Sequence, residues 1–334
     1  MKKLHWLLAL ITVSFAFMGS SEVQAAKYSA KEAKQVEQFK DAYRQLDRST
    51  IYDQTNIYYD SPHFGKTFNP GRLRDAYTTT SMAYVNYYRS LFALPREHNF
   101  EIDNVNAQLG AVALASVNAE PTLAAHGLIS YRRPKYFPRN EWSKAENATL
   151  GNINFLDSTT GATAGEIVTD LLQDRNNLAG SGDTGHRALL LSARATHMGI
   201  GASYGQNNGR LYSVQNGVFA DDILRKPAAK AVPYPAKGLF PYELLDSTTP
   251  WSIYLVGQTI TTTPKIYITD LTSHRKTVAT SVRNYGKLYY GFGYSAALTF
   301  RPSKSLKIIN THKYQVKVGK YYTYTFRLFR QAAQ

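Results

Sequence analysis

Two histidines, an acid and an arginine carry most of the chemistry that this chain offers. They sit in short motifs, His126-Gly127, Ala145-Glu146-Asn147 and Gly185-His186-Arg187, closed by Met198-Gly199-Ile200-Gly201. Histidine is scarce, 8 residues in 334, so two in related contexts point to one shared pocket. Imidazole nitrogen and carboxylate oxygen are donors that a divalent cation such as zinc accepts. A guanidinium beside them, Arg187, offers a bidentate grip on a carboxylate or phosphate. A purely structural reading stands next to this one. His126 would cap a helix end, where a cation is favoured by the helix dipole. Glu146 would accept backbone amides, and Arg187 would form a structural ion pair.

Other chemistry is excluded or weak. The chain has no cysteine, which removes thiol nucleophiles and cysteine-ligated zinc. It has no His-Glu-x-x-His. Ser181 lies near His186, but its neighbours Gly180 and Gly182 read as a flexible loop rather than a nucleophile turn. Asn147-Ala148-Thr149 is a glycosylation sequon by pattern and is expected to be incidental.

The elements that must position these residues follow from hydrophobic period and punctuation. Residues 1–25 read as a signal peptide: Lys2 and Lys3, an apolar run over 7–18, then Val23-Gln24-Ala25 for cleavage. Ser20, Ser21 and Glu22 end that run too early for a membrane anchor. Export is therefore expected, with no transmembrane segment after cleavage. A helix is predicted over 29–46 behind the capping box Ser29-Ala30-Lys31-Glu32. Further helices are predicted over 71–94 and 105–125, the latter with Gly127 in the C-cap position after His126. Others are predicted over 165–174 and from 184, with strands over 197–204 and 210–219.

Pro227, Pro233, Pro235, Pro241 and Pro250 mark 223–250 as a linker packed along the surface. After residue 251 the texture is that of an all-β domain. Strands are predicted over 251–256, 265–270, 276–283, 288–292, 297–301, 313–318 and 321–329, the last two joined at Gly319-Lys320. Seven short strands with turns between them fit an Ig-like β-sandwich. The expected class is thus α+β.

Residues 80–222 resemble the CAP superfamily of extracellular proteins (cysteine-rich secretory proteins, antigen 5, pathogenesis-related proteins) in its bacterial, cysteine-free form. The resemblance rests on Asn86-Tyr87-Tyr88-Arg89 leading to Leu94-Pro95, the alanine-rich helix before His126, and Ala145-Glu146-Asn147. Gly185-His186-Arg187-Ala188-Leu189-Leu190 and Gly199-Ile200-Gly201 complete it. It implies an α-β-α sandwich with a central cleft holding two histidines and two acids. His126, Glu146 and His186 fall on three of those positions. Asp174 falls on the fourth, where Leu171-Leu172-Gln173-Asp174 stands in place of the family's Trp-x-x-Glu. The implied set His126, Glu146, Asp174 and His186 would hold zinc or another divalent cation, with either acid bound or orienting an imidazole. The flanks are then an N-terminal helical extension over 26–79, the linker over 223–250 and the β-domain over 251–334.

Charge points to a partner. The net charge is +15, and from residue 236 onward fourteen Lys or Arg face only Glu243, Asp246 and Asp270. A basic tail on an exported protein fits an anionic cell-envelope polymer of Gram-positive type, teichoic acid, or anionic lipid. No separate base-reading element is evident, so nucleic acid is not expected. Solubility alone is the plain alternative reading of the same lysines. The final residues, Arg330-Gln331-Ala332-Ala333-Gln334, carry no wall-sorting signal, so attachment is expected to be non-covalent. The leading expectation is a secreted binding module. The alternatives are a metal-dependent extracellular hydrolase acting on peptide or wall, and a structural surface protein with a vestigial cleft.

Overall fold

The computed structural model describes residues 28–157, 160–180 and 182–332. The expected signal peptide and Ser181 lie outside the described residues. Helix α1 (Ala30–Arg44) begins as predicted: Glu32 N donates to Ser29 Oγ at 3.2 Å, and Ser29 N donates to Glu32 Oε2 at 2.9 Å. Its apolar stripe does not stand apart as an extension. Val36 packs with Leu239 and Phe329, and Phe39 stacks on Phe329 at 5.9 Å, so the beginning of the described chain is pinned to its end.

Two short ladders follow, β1 (Ile51–Tyr52) with β5 (Ala162–Thr163) and β2 (Tyr58–Asp60) with β3 (Arg72–Leu73). Helices α2 (Asp75–Leu91), α3 (Glu101–Ser116), α4 (Arg139–Ala148), α5 (Ala164–Gln173) and α6 (Gly185–Leu190) surround an antiparallel sheet. The sheet has the order β4 (Asn152–Leu156), β7 (Leu211–Asn216), β6 (Gly199–Tyr204). Its two faces bury different helices. Ile153, Tyr212 and Val214 pack with α3 and α4, whereas Ile200, Ala202, Tyr204 and Leu211 pack with α2, α5 and α6. The class is α+β, with helices on both faces of this sheet.

The Gly199-Ile200-Gly201 motif has a packing reason. A Cβ at Gly201 would lie 2.2 Å from the Ala107 carbonyl, and one at Gly199 would lie 2.2 Å from that of Asp103. Only glycine lets α3 rest its backbone on β6. Gly201→Ala is expected to cost about 1–3 kcal/mol through overpacking, read as a lower urea midpoint with unchanged slope.

Helix α3 ends at Ser116 rather than at 125. Asn118 turns with φ 46°, and Pro121 cannot supply the amide that a continuing helix needs. Residues Leu123–Leu128 form a separate 3-10 turn, kinked at His126 (ψ 124°) and Gly127 (φ 66°). His126 therefore does not cap the long helix.

The C-terminal half holds two facing sheets. One has the order β13 (Thr280–Gly286), β14 (Ala296–Arg301), β10 (Trp251–Leu255), β8 (Ala231–Tyr234). The other has the order β12 (Arg275–Val278), β11 (Ile266–Asp270), β15 (Lys313–Val318), β16 (Tyr322–Phe329), β9 (Gly238–Pro241). Trp251 of the first meets Phe326 of the second edge-on at 5.5 Å. The expected hairpin at Gly319-Lys320 is present, with Val318 opposite Tyr322 and φ 47° at Gly319.

Three expectations change here. The stretch over 223–250 is not a surface linker, because β8 and β9 add one strand to each sheet. Both are edge strands, where a proline without an N–H is tolerated. Residues 276–283 are two strands in different sheets, parted at Ala279. Residues 288–292 hold a 3-10 turn, Tyr290–Phe292, instead of a strand.

Candidate functional site

The cleft forms where β4, the end of α5, the start of α6 and the 3-10 turn meet. A cavity of about 330 Å³ is lined there by His126, His186, Asp170, Asp174, Asn154 and Asn177, among others. The two histidines thus share one pocket, and the described residues show how each ring is held.

His126 lies 3.0 Å through Nδ1 from the Thr149 carbonyl. A carbonyl only accepts, so Nδ1 carries the proton and Nε2 keeps its lone pair. Thr149 is the C-cap of α4, the helix that carries Ala145-Glu146-Asn147. That motif therefore contributes through the carbonyl that follows it. Burial, reinforced by the charge of His186, holds the His126 pKa below its ordinary value against the opposing pull of the Thr149 bond.

His186 is oriented by a carboxylate. Its Nδ1 lies 2.9 Å from Asp174 Oδ1, whose second oxygen accepts from the Arg187 amide at 3.1 Å. Asn177 Nδ2 adds a third donor at 3.0 Å. Asp174 itself closes α5 as a left-handed C-cap, φ 52°, with its side chain fully buried. Burial works against charge on His186, but Asp174, Asp170 and Asp183 outweigh it and raise the pKa. Helix α6 is fixed from the other half of the molecule: Tyr254 Oη donates to Thr184 Oγ1 at 2.8 Å, and Tyr289 Oη donates to Asp183 Oδ1 at 2.8 Å.

The remaining expected residues are placed differently. Glu146 does not line the cavity; its Oε1 accepts from Trp142 Nε1 at 2.9 Å within the same helix. Asp174 lines the cavity and holds the His186 ring through Nδ1. Arg187 cannot grip an anion, because it is 0% exposed and spends its donors internally. Nε donates to the Leu172 carbonyl at 2.6 Å, Nη2 to Gln173 at 2.6 Å and Nη1 to Pro250 at 2.8 Å, while the guanidinium lies 3.7 Å over the Tyr234 ring.

Asp170 is the acid that the sequence reading passed over. It lines the cavity, accepts from Asn154 Nδ2 at 3.0 Å, and is pushed above its usual range by burial against the pull of Arg175 and His186. Its spacing from Asp174, four residues on one helix, was the available signal.

Chemically, the cleft brings together two imidazoles whose hydrogen bonds run through Nδ1, and neither Nε2 bonds a group among the described residues. One ring is biased neutral and the other towards the cation. That pairing suits a base and an acid, or two nitrogen ligands once His186 loses its proton. Among the described residues, however, no three of the cleft's His and acid donors lie within 4.8 Å of one another. His197, Asp221 and Asp222 do, and that group could hold a metal ion. No helix among the described residues is long and apolar enough to cross a membrane. Neither a scan of protein-family models nor a search of curated proteins finds a match for the chain.

Proposed function

We propose that this chain is a CAP-like secreted binding protein, an α-β-α domain fused to an Ig-like sandwich, whose His126–His186 cleft takes a divalent metal or small ligand. One observation carries the reading: both Nδ1 atoms are tied to oxygen acceptors, which leaves both Nε2 atoms for the same cavity. The donor set fits zinc in part. Two imidazoles are ready as ligands, Asp174 orients one of them as metal-bound histidines require, and water or a ligand atom completes the shell. Bound zinc would supply Lewis acidity to that ligand.

Calorimetric titration of Zn²⁺ into the protein and into its His126→Ala, His186→Ala double variant tests this. The double variant is expected to bind one equivalent fewer. Equal stoichiometry would overturn the metal reading and leave the cleft for an organic ligand. The hydrolase reading is favoured by one feature, the opposed pKa shifts of the two rings. It requires turnover of a peptide or wall substrate that the same double variant abolishes.

The β-sheet half supplies a basic surface for an anionic envelope polymer, teichoic acid, or anionic lipid. Its three acids are already engaged: Glu243 with Arg330, Asp246 with Arg175 and Asp270 with His312. Of its fourteen basic side chains, only Arg327 and Arg330 form ion pairs among the described residues. Replacing the exposed Arg275, Lys276, Lys304, Lys307 and Lys317 with Gln is expected to abolish retention on purified cell walls in low salt. Unchanged retention would reduce the charge to a solubility device. Deleting the half would test nothing, since Arg187 and α1 depend on it.

A further inference from the structure

A second cluster of ligating side chains sits outside the cleft, where α7 (Ala220–Ile223) folds back against the start of β6. His197 Nδ1 lies 2.7 Å from Asp103 Oδ2 of α3. A carboxylate only accepts, so Nδ1 carries a proton, and in the neutral ring Nε2 is the atom that can bind a cation. Phe219 stacks on the ring with centroids 3.8 Å apart, which leaves it little freedom to turn. Nε2 then faces α7: Asp221 Oδ2 is 3.8 Å away, and one donor atom each from His197, Asp221 and Asp222 lies within 4.8 Å of the others.

The charge balance asks for a cation. Asp103, Asp221 and Asp222 surround one imidazole, and the nearest basic group to Asp222 is Arg225 Nε at 4.0 Å. Asp222 is almost fully buried and anchored by Thr196, whose Oγ1 donates at 2.8 Å. Asp221 has no other bond among the described residues, and its side chain is 74% exposed. A tetrahedral ion with bonds of about 2.0–2.2 Å seats its donors roughly 3.4 Å apart. A small swing of Asp221 closes the site.

We propose that His197, Asp221 and Asp222 form a divalent-cation site, zinc by its nitrogen and oxygen donors, with Asp103 as the carboxylate that orients the imidazole. The Asp103–His197 bond separates this arrangement from a chance group of surface acids. It is the outer-shell contact that metal-bound histidines make, and it comes from a different helix. Such an ion would tie α7 to the start of β6, at the passage from the first half of the chain into β8.

The test uses Zn²⁺ alone as probe, in the His126→Ala, His186→Ala background, so that the cleft contributes nothing. One equivalent is expected to remain. It should weaken at least tenfold on Asp221→Asn, a change at an exposed side chain that leaves folding intact, and on His197→Gln. Absence of Zn²⁺ binding in the double variant would overturn the proposal. So would an affinity unchanged by both further substitutions. If the parent and the double variant bind the same single equivalent, the cleft reading fails and this site stands.

Discussion

Arg187→Met is expected to lower the unfolding free energy by about 3–5 kcal/mol, because several buried acceptors lose their donor at about 1–3 kcal/mol each. The side chain is a bolt between the two halves. Its Nε and Nη2 take the carbonyls of Leu172 and Gln173, which are orphaned at the end of α5. Its Nη1 crosses to Pro250 O and Ser252 Oγ, and the guanidinium covers Tyr234. Methionine fills the volume and satisfies none of these acceptors. Lysine keeps the charge, but a single ammonium cannot reach both ends of the fork, so Arg187→Lys should recover little. Urea unfolding at neutral pH decides the matter. A Met variant within about 0.5 kcal/mol of the parent, the range of an ordinary surface change, would show that the bolt is idle.

This residue also shows where sequence reasoning stops. Gly185-His186-Arg187 stood out by composition, and the motif does matter, but its three residues do three different things. Gly185 donates its amide to Asp183, His186 faces the cleft, and Arg187 turns away into the other half. Spacing along the chain places side chains near one another without saying which face each one takes. The pairing of the two histidines was legible because both types are rare and sit beside glycine. The third member was not: Glu146 is bonded by Trp142 within α4, and Asp170 reaches the cavity one helical turn before Asp174.

The fold was legible where a period or a cap dominates. The capping box of α1 and the alternation of Tyr314, Val316 and Val318 are local signals, and both appear in the structure. The prolines over 223–250 read as linker punctuation, yet the stretch forms strands. Proline excludes a central strand but permits an edge, and the edges of both sheets are where this stretch goes. His197 drew attention only as the start of a strand, because its partners Asp103 and Asp221 are distant in sequence and meet it through tertiary packing.

Asp174→Asn is expected to weaken Zn²⁺ binding in the cleft by about 10–100-fold, the usual effect of losing an outer-shell carboxylate. The parent carboxylate accepts from His186 Nδ1, the Arg187 amide and Asn177 Nδ2. An amide offers one acceptor oxygen and turns its NH₂ towards a donor, so at least one buried group loses its partner, at about 1–3 kcal/mol. The pH dependence has a definite sign. His186 has a raised pKa when folded, so its contribution to stability is fully present below the unfolded value near 6.5. It is lost as pH rises through the folded value. Removing the Asp174 charge removes most of that contribution. The stability gap between parent and variant should therefore be wider at pH 6 than at pH 8, and the His186 titration should move downward by NMR. A gap that does not change with pH, with Zn²⁺ affinity within twofold of the parent, would show that Asp174 only caps α5. Asp174 would then be a structural residue beside a cleft that it does not tune, and the orientation of His186 would have to come from Tyr254 and Tyr289 holding α6.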